Sequence, residues 1–254
     1  MRYTENYEVT CHDVDVNNNL KPSYILRYMQ ETANHHMRDR KPSYYDLFFQ
    51  GKSFILTRIT IEVYGQLHQY DKIQVQTWRC PEKGATFIRC YEISRGGEII
   101  AKAYSVWAVT NHKTGKLCKA SEVDISNYET EEPLELKLPT RFRLPKGMEF
   151  EKRGEKEVFY SDVDMNLHMN NTQYPDMLWN FIPDVMEKEV TSINLRFMKE
   201  APLGSRAEIY MAKMEEPLPE DERAEETYCF ISKIDGEINV EAEFGMKKLT
   251  EKQR

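Results

Sequence analysis

Residues 162–169 read Asp162-Val163-Asp164-Met165-Asn166-Leu167-His168-Met169, and residues 13–20 read Asp13-Val14-Asp15-Val16-Asn17-Asn18-Asn19-Leu20. The two stretches lie 149 positions apart in a chain of 254 residues. Asp13, Asp15 and Asn17 recur as Asp162, Asp164 and Asn166, while Asn19 stands where the later copy has His168. Self-similarity at such a spacing marks a duplicated structural unit. The chain is therefore expected to hold two units of one architecture.

The segments after the two copies also agree. Ile25, Tyr28, Met29 and Ala33 recur at helical spacing, with Pro22 and Ser23 suited to a first turn. After the second copy Tyr174, Met177, Leu178 and Phe181 share one helical face, and Pro175 is tolerable only near its start. Strand-like segments come next at about 53–64, 72–80, 86–95 and 98–111, and again at about 190–199, 206–214, 226–234 and 237–248. Their alternation is plain in Ile73-Gln74-Val75-Gln76-Thr77-Trp78 and in Ile238-Asn239-Val240-Glu241-Ala242-Glu243-Phe244. Turn signals at Arg95-Gly96-Gly97-Glu98 and Asp235-Gly236-Glu237 predict antiparallel hairpins. Each half reads as a long helix with a curved antiparallel sheet, an α+β unit. The boundaries are 1–120 for the first unit, 121–155 for an acidic, Pro-punctuated linker, and 156–254 for the second.

Composition excludes several classes. Lys and Arg number 35 against 42 Asp and Glu, for a net charge of −7, which gives no general case for nucleic-acid binding. Hydrophobic residues make up 40% and charged residues 30%, the balance of a globular protein and not of a disordered chain. No apolar run approaches the ~18 residues of a membrane span. Met1-Arg2-Tyr3-Thr4-Glu5 lacks the apolar core of a secretory signal, which predicts a cytoplasmic location. Cys11, Cys80, Cys90, Cys118 and Cys229 are odd in number and widely separated, so reduced thiols are expected rather than disulfides, and no CxxC pair suggests zinc.

Among the residues able to do chemistry, the D-x-D-x-N start invites a calcium-loop reading. That loop needs Gly at its sixth position and Glu at its twelfth, where this chain has Leu167 and Gln173, or Asn18 and Tyr24. No metal or other cofactor is expected. The cysteines sit in predicted strands or after a turn, without the setting of a nucleophile, and no GxSxG elbow, P-loop or GxGxxG cradle occurs. His168 either carries a proton near neutral pH or satisfies a loop carbonyl; Asn19 can do only the latter. His35 and His36 read as helix-face residues.

The run Tyr160-Ser161-Asp162-Val163-Asp164-Met165-Asn166-Leu167-His168-Met169-Asn170-Asn171-Thr172-Gln173-Tyr174 closely resembles the active-site signature of fatty acyl-acyl carrier protein thioesterases. Gln30-Glu31-Thr32-Ala33-Asn34-His35, Ser105-Val106-Trp107 with its following turn, and Asn194-Leu195-Arg196-Phe197-Met198-Lys199-Glu200-Ala201 resemble further motifs of that family. The resemblance implies a tandem (double) hotdog, each unit a long helix wrapped by a curved sheet, with the acyl pocket largely in the first unit and catalysis in the second. It implies hydrolysis of fatty acyl-acyl carrier protein, releasing free fatty acid and ending chain elongation in fatty acid biosynthesis. By motif position the catalytic residues are Asp164, Asn166, His168 and Glu200. Plant members often carry Cys after that Glu; Ala201 here removes a thiol mechanism. Plant members also carry a plastid-targeting extension, absent from this sequence, which points to the bacterial branch. An acyl-CoA thioesterase, a hotdog dehydratase, or a non-catalytic acyl-binding module are the alternatives.

Tyr24, Tyr28, Met29 and Trp107 are the expected acyl-chain contacts. Acyl carrier protein, the expected partner, is acidic, so a local basic patch is needed: Arg141, Arg143 and Lys146, or Lys199 and Arg206. Two units in one chain already supply a hotdog pair, so a monomer and a homodimer are both open.

Overall fold

The computed structural model describes residues 2–249. Strand β1 (Tyr3–Glu8) leads through the first Asp-Asn loop into α1 (Pro22–Arg40) and α2 (Tyr44–Phe49). Strands β2 (Lys52–Val63), β3 (Lys72–Lys83), β4 (Thr86–Arg95), β5 (Glu98–Asn111) and the short β6 (Lys116–Leu117) complete the first half. The second half runs β7 (Glu151–Glu157), the second loop, α3 (Tyr174–Trp179), β8 (Lys188–Phe197), β9 (Arg206–Lys213), β10 (Glu226–Ile234) and β11 (Glu237–Lys248).

All strands join one antiparallel sheet in the order β1-β3-β4-β5-β2-β8-β11-β10-β9-β7, with β6 added to β5. The order is mirrored about the β2–β8 pair, where Arg58, Ile59, Thr60, Ile61 and Glu62 face Arg196, Leu195, Asn194, Ile193 and Ser192. This seam fuses two equivalent half-sheets, and the tandem hotdog follows from it. Alternation explains the burial: Ile59 and Ile61 enter the main core on the helix side, while Thr60 and Glu62 turn to the opposite face.

Helix α1 begins with Pro22, ends with Arg38 and Arg40 in its last turn, and buries Ile25, Leu26, Met29 and Ala33. Each of the three larger side chains contributes about 1.5–3 kcal/mol on burial. The second helix is shorter than the sequence predicts. A 3-10 turn (Asn171–Gln173) precedes α3, which has 6 residues against 19 in α1. Pro183 disfavours helical geometry just before it, and Asp184 adopts φ +51°, so the chain turns away early. Ser23 at the start of α1 donates from its Oγ to Asp176 of α3 at 2.6 Å, tying the two helices together.

Residues 121–150 are not a free spacer. Trp78 Nε1 donates to the Glu132 carbonyl at 3.0 Å, and Leu138 N donates to Glu62 Oε1 at 2.8 Å. Leu134 and Leu136 pack on Trp78, Cys80, Ile88, Cys90, Tyr104 and Val106 on the face opposite the helices. The end of this segment also differs from expectation, since β7 begins at Glu151 and pairs with β9. Among the described residues no helix is long and apolar enough to cross a membrane.

Candidate active site

The two repeated loops share one hydrogen-bond pattern. In the first, Asp15 N donates to the Asn19 carbonyl (2.8 Å) and Asn18 N to the Asp15 carbonyl (3.1 Å). In the second, Asp164 N donates to the His168 carbonyl (3.0 Å) and Leu167 N to the Asp164 carbonyl (2.9 Å). Asp15 Oδ1 accepts from Asn17 N, and Asp164 Oδ1 from Asn166 N, each at 2.8 Å. Asn18 and Leu167 both take left-handed backbone, with φ of 61° and 62°. The aspartates of the repeat thus set loop shape by an Asx turn.

The loops differ in what they face. In the second, His168 Nε2 lies 3.3 Å from Glu200 Oε2. A bridge between His168 and Pro202 and the bond from Met169 N to the Ala201 carbonyl (2.8 Å) hold the two segments together. Leu20 N makes the corresponding bond to the Leu67 carbonyl (2.8 Å), which places Gln66 where the second unit has Glu200. Asn19 is buried with its Nδ2 unpartnered, and the space beside Leu20 and Gln66 is about 10 Å³. The first loop therefore has no histidine at the position of His168, and the cavity beside it is far too small for a substrate.

Asn166 reaches across to the first unit. Its Nδ2 donates to the Tyr44 hydroxyl at 3.0 Å, and its Oδ1 accepts from Ser53 Oγ at 3.3 Å. Ser53 Oγ is also 3.4 Å from His112 Nδ1. Burial raises the Tyr44 phenol, which keeps it protonated. Tyr44 starts α2, whose capping box between Ser43 and Asp46 fixes its position. Ser53 opens β2.

The carboxamide, imidazole and carboxylate open onto a cavity of about 1600 Å³ between α1, α2 and strands β2–β5 on one side and the second loop with 197–201 on the other. Asp164, Asn166, His168, Glu200 and Trp107 line it. Tyr24, Tyr28 and Met29 do not, which corrects the expectation for these three. Met29 is 1% exposed in the core, the Tyr28 hydroxyl donates to Asp13 (2.6 Å), and the Arg27 guanidinium covers the Tyr24 ring. The cavity wall is the next part of α1, at Ala33 and Met37.

Other expectations also shift. Thr172 N and Gln173 N are already taken by Asn170 Oδ1 and the Asn170 carbonyl, both at 2.9 Å, so the helix start offers few free donors for an oxyanion. Lys199 pairs with Glu237, and Arg206 with Glu155. Arg141 lies beside Arg58, on the face covered by 121–150 and away from the cavity. His35 sits between Glu5 and Glu31, and His36 is buried against Tyr3. The five thiols are free. Reading the sequence missed Tyr44, Ser53 and His112; the capping box Ser43-x-x-Asp46 was the one local signal for the first.

A mirrored sheet, a helix inside each half and one asymmetric loop pair define a tandem hotdog protein with a single candidate site. The profile of the acyl-ACP thioesterase N-terminal domain matches residues 1–128, and that of the acyl-ACP thioesterase C-terminal domain matches residues 147–248. The chain belongs to the acyl-ACP thioesterase family. It is 24% identical over 217 residues to the chloroplastic palmitoyl-acyl carrier protein thioesterase of Cuphea hookeriana, covering 78% of this chain and 51% of that protein. It is 24% identical to the chloroplastic oleoyl-acyl carrier protein thioesterase of Coriandrum sativum, covering 79% of this chain and 59% of that one. The chain thus spans about half the length of the plant relatives it matches. In fold it matches an acyl-ACP thioesterase from Bacteroides thetaiotaomicron (TM-score 0.83, 22% identity, 97% of this chain and 98% of that one). It likewise matches the 12:0-ACP thioesterase from Umbellularia californica (TM-score 0.84, 15% identity, 98% and 94%).

Proposed function

We propose that the chain hydrolyses the thioester of fatty acyl-acyl carrier protein, releasing free fatty acid and ending chain elongation in a cytoplasm. The observation that carries this reading is the His168–Glu200 contact at the mouth of a cavity large enough for an acyl chain. Glu200 takes a proton from a water, and the water oxygen attacks the acyl carbon. The carboxamide of Asn166, braced by Tyr44 and Ser53, holds the developing oxyanion. The carbon–sulfur bond breaks as protonated His168 passes its proton to the sulfur. The proton on Glu200 then returns to His168 across their 3.3 Å contact, restoring both groups.

Direct attack by Asp164 is the less favoured path. Its Oδ1 is turned to Asn166 N as Asp15 Oδ1 is turned to Asn17 N, in a loop that has no histidine. Asp164 is therefore a positioning residue in this scheme. The exposed apolar side chains Tyr45, Leu117, Met165, Leu167 and Met198 rim the cavity and supply the docking surface for the carrier protein.

The test is release of free thiol from a chain-length series of acyl-acyl carrier proteins, with matched acyl-CoAs and His168→Ala. Rapid release from the carrier-protein substrates, lost in His168→Ala, is expected. A preference for acyl-CoA would move the activity to a CoA thioesterase, and acyl binding without release would make the chain a binding module.

A further inference from the structure

The cavity is mostly apolar, but its wall on β3 and β4 is not. Arg79 and Arg89 are register partners across these strands, and both line the cavity. The Arg79 guanidinium is accounted for: it is ion-paired with Glu82, and its Nη1 donates to the Tyr128 carbonyl at 3.2 Å. Arg89 is not. Its Nη1 donates to His36 Nδ1 and to Thr77 Oγ1, each at 3.2 Å. Neither acceptor carries charge, because burial, aided by Arg89 itself, pushes His36 down to about 3. Among the described residues no carboxylate lies within ion-pair distance of Arg89.

Two residues along β4 the same face carries Tyr91, 1% exposed and also lining the cavity. Its hydroxyl makes no hydrogen bond of ordinary geometry. The polar neighbour is Ser105, whose Oγ already donates to the Arg89 carbonyl (2.9 Å) and accepts from Trp107 Nε1 (2.7 Å). One wall of the cavity therefore carries a guanidinium whose acceptors are all neutral, with no carboxylate to balance its charge, and beside it a buried hydroxyl without a hydrogen bond of ordinary geometry.

Their distance from the chemistry follows from the sheet. Asn166 touches Ser53, which faces Thr110 of β5; Arg89 faces Ser105, five residues further along the same strand. At about 3.4 Å per residue and about 4.8 Å per strand, the Arg89 wall lies roughly 15–20 Å from the catalytic loop. A methyl-ended chain filling that distance would strip water from the half-buried Arg89 guanidinium and leave its charge without a counter-ion, which is costly. A carboxylate there would accept from both.

Resting on the thioesterase reading above, we propose that the acyl substrate carries a carboxylate at its far end, bound by Arg89 and Tyr91, so that the preferred substrates are half-thioesters of dicarboxylic acids. The test uses acyl-acyl carrier proteins of equal length ending in methyl, hydroxyl or carboxylate. The wild-type chain is expected to favour the carboxylate end by at least about tenfold in kcat/KM. Arg89→Met should reverse that preference, and Tyr91→Phe should reduce it several-fold. Calorimetric titration of the wild-type chain with matched fatty methyl esters, ending in carboxylate or methyl, reads the same site without turnover; tighter binding of the carboxylate-ended ester is expected. Equal or faster use of methyl-ended or hydroxyl-ended chains, or equal or tighter binding of the methyl-ended ester, overturns the proposal. Failure to hydrolyse any of the thioesters would sink the thioesterase reading alone and leave the calorimetry to decide the tail.

Discussion

His168 and Asn19 occupy the same corner of two loops built on one plan. Each lends its backbone carbonyl to the aspartate N–H four residues earlier, at 3.0 Å for His168 and 2.8 Å for Asn19. Beyond that carbonyl they diverge: His168 meets Glu200 across 3.3 Å, and Asn19 is shut into the protein. The loop is thus one backbone frame that carries two different side chains.

His168→Asn places in the second loop the residue that the first already tolerates. The fold should survive, with Tm changed by only a few degrees. The rate of thioester hydrolysis should fall on the order of 10²–10⁴-fold, the range for a lost proton-transfer group. Circular dichroism melting and single-turnover kinetics would check both halves; retained activity would remove His168 from the mechanism.

Water attack and Asp164 attack differ in where solvent oxygen goes. In a single turnover in oxygen-18 water, the released fatty acid should carry the label and the Asp164 peptide should carry none by mass spectrometry. Label in Asp164 would establish an anhydride path.

Glu243 makes stability depend on pH in an unusual direction. Burial pushes its carboxyl up from 4.5 to about 7, reinforced by Glu220 and Asp221 and opposed by the bond from Asn194. The folded state then holds a proton that the unfolded chain releases above 4.5, so this group's stabilisation is full below pH 4.5 and lost as pH rises to about 7. The loss amounts to about 3 kcal/mol. Urea unfolding at about pH 5 and about pH 8, wild type against Glu243→Gln, should show the variant losing much less stability between the two. An equal loss in both would mean that another group governs the trend.

Gly245 sits at a bulge where β11 meets β8. A Cβ there would press on Asp221, Ser192 and Thr191, the last at 2.7 Å. Gly245→Ala should therefore cost about 1–3 kcal/mol through overpacking, read as a lower urea midpoint. An unchanged midpoint would show that Asp221 and the Ser192 and Thr191 side chains of β8 give way freely.

The eight long strands were legible because apolar and polar residues alternate along them and glycine turns separate them. The edge strands were not. Tyr3–Glu8 is half exposed along its length, and Glu151–Glu157 (Glu-Lys-Arg-Gly-Glu-Lys-Glu) is almost wholly charged. Charge on an edge discourages pairing with another chain, and the same charge hides the strand from any hydrophobic pattern. The candidate site was legible from its motif to the extent that the second loop and Glu200 lie together on one cavity. Its other wall depends on how α2 and β2 fold back against that loop, a long-range contact that no local spacing encodes. Tyr28 and Met29 misled for a related reason: helical periodicity identifies a buried face, and here its first turns fill the core while the cavity is lined from Gln30 onward.

The seam between β2 and β8 joins the two units within a single polypeptide, so every position in one unit can change without changing its counterpart. Two identical subunits would have to carry each substitution twice, and one surface could not be shaped for an acyl tail while its double kept a proton relay. Here Arg89 and His168 each occur without a twin. On the proposed reading the expected stoichiometry is one acyl group per pair of units, and titration with a non-hydrolysable acyl analogue should saturate at one equivalent per chain.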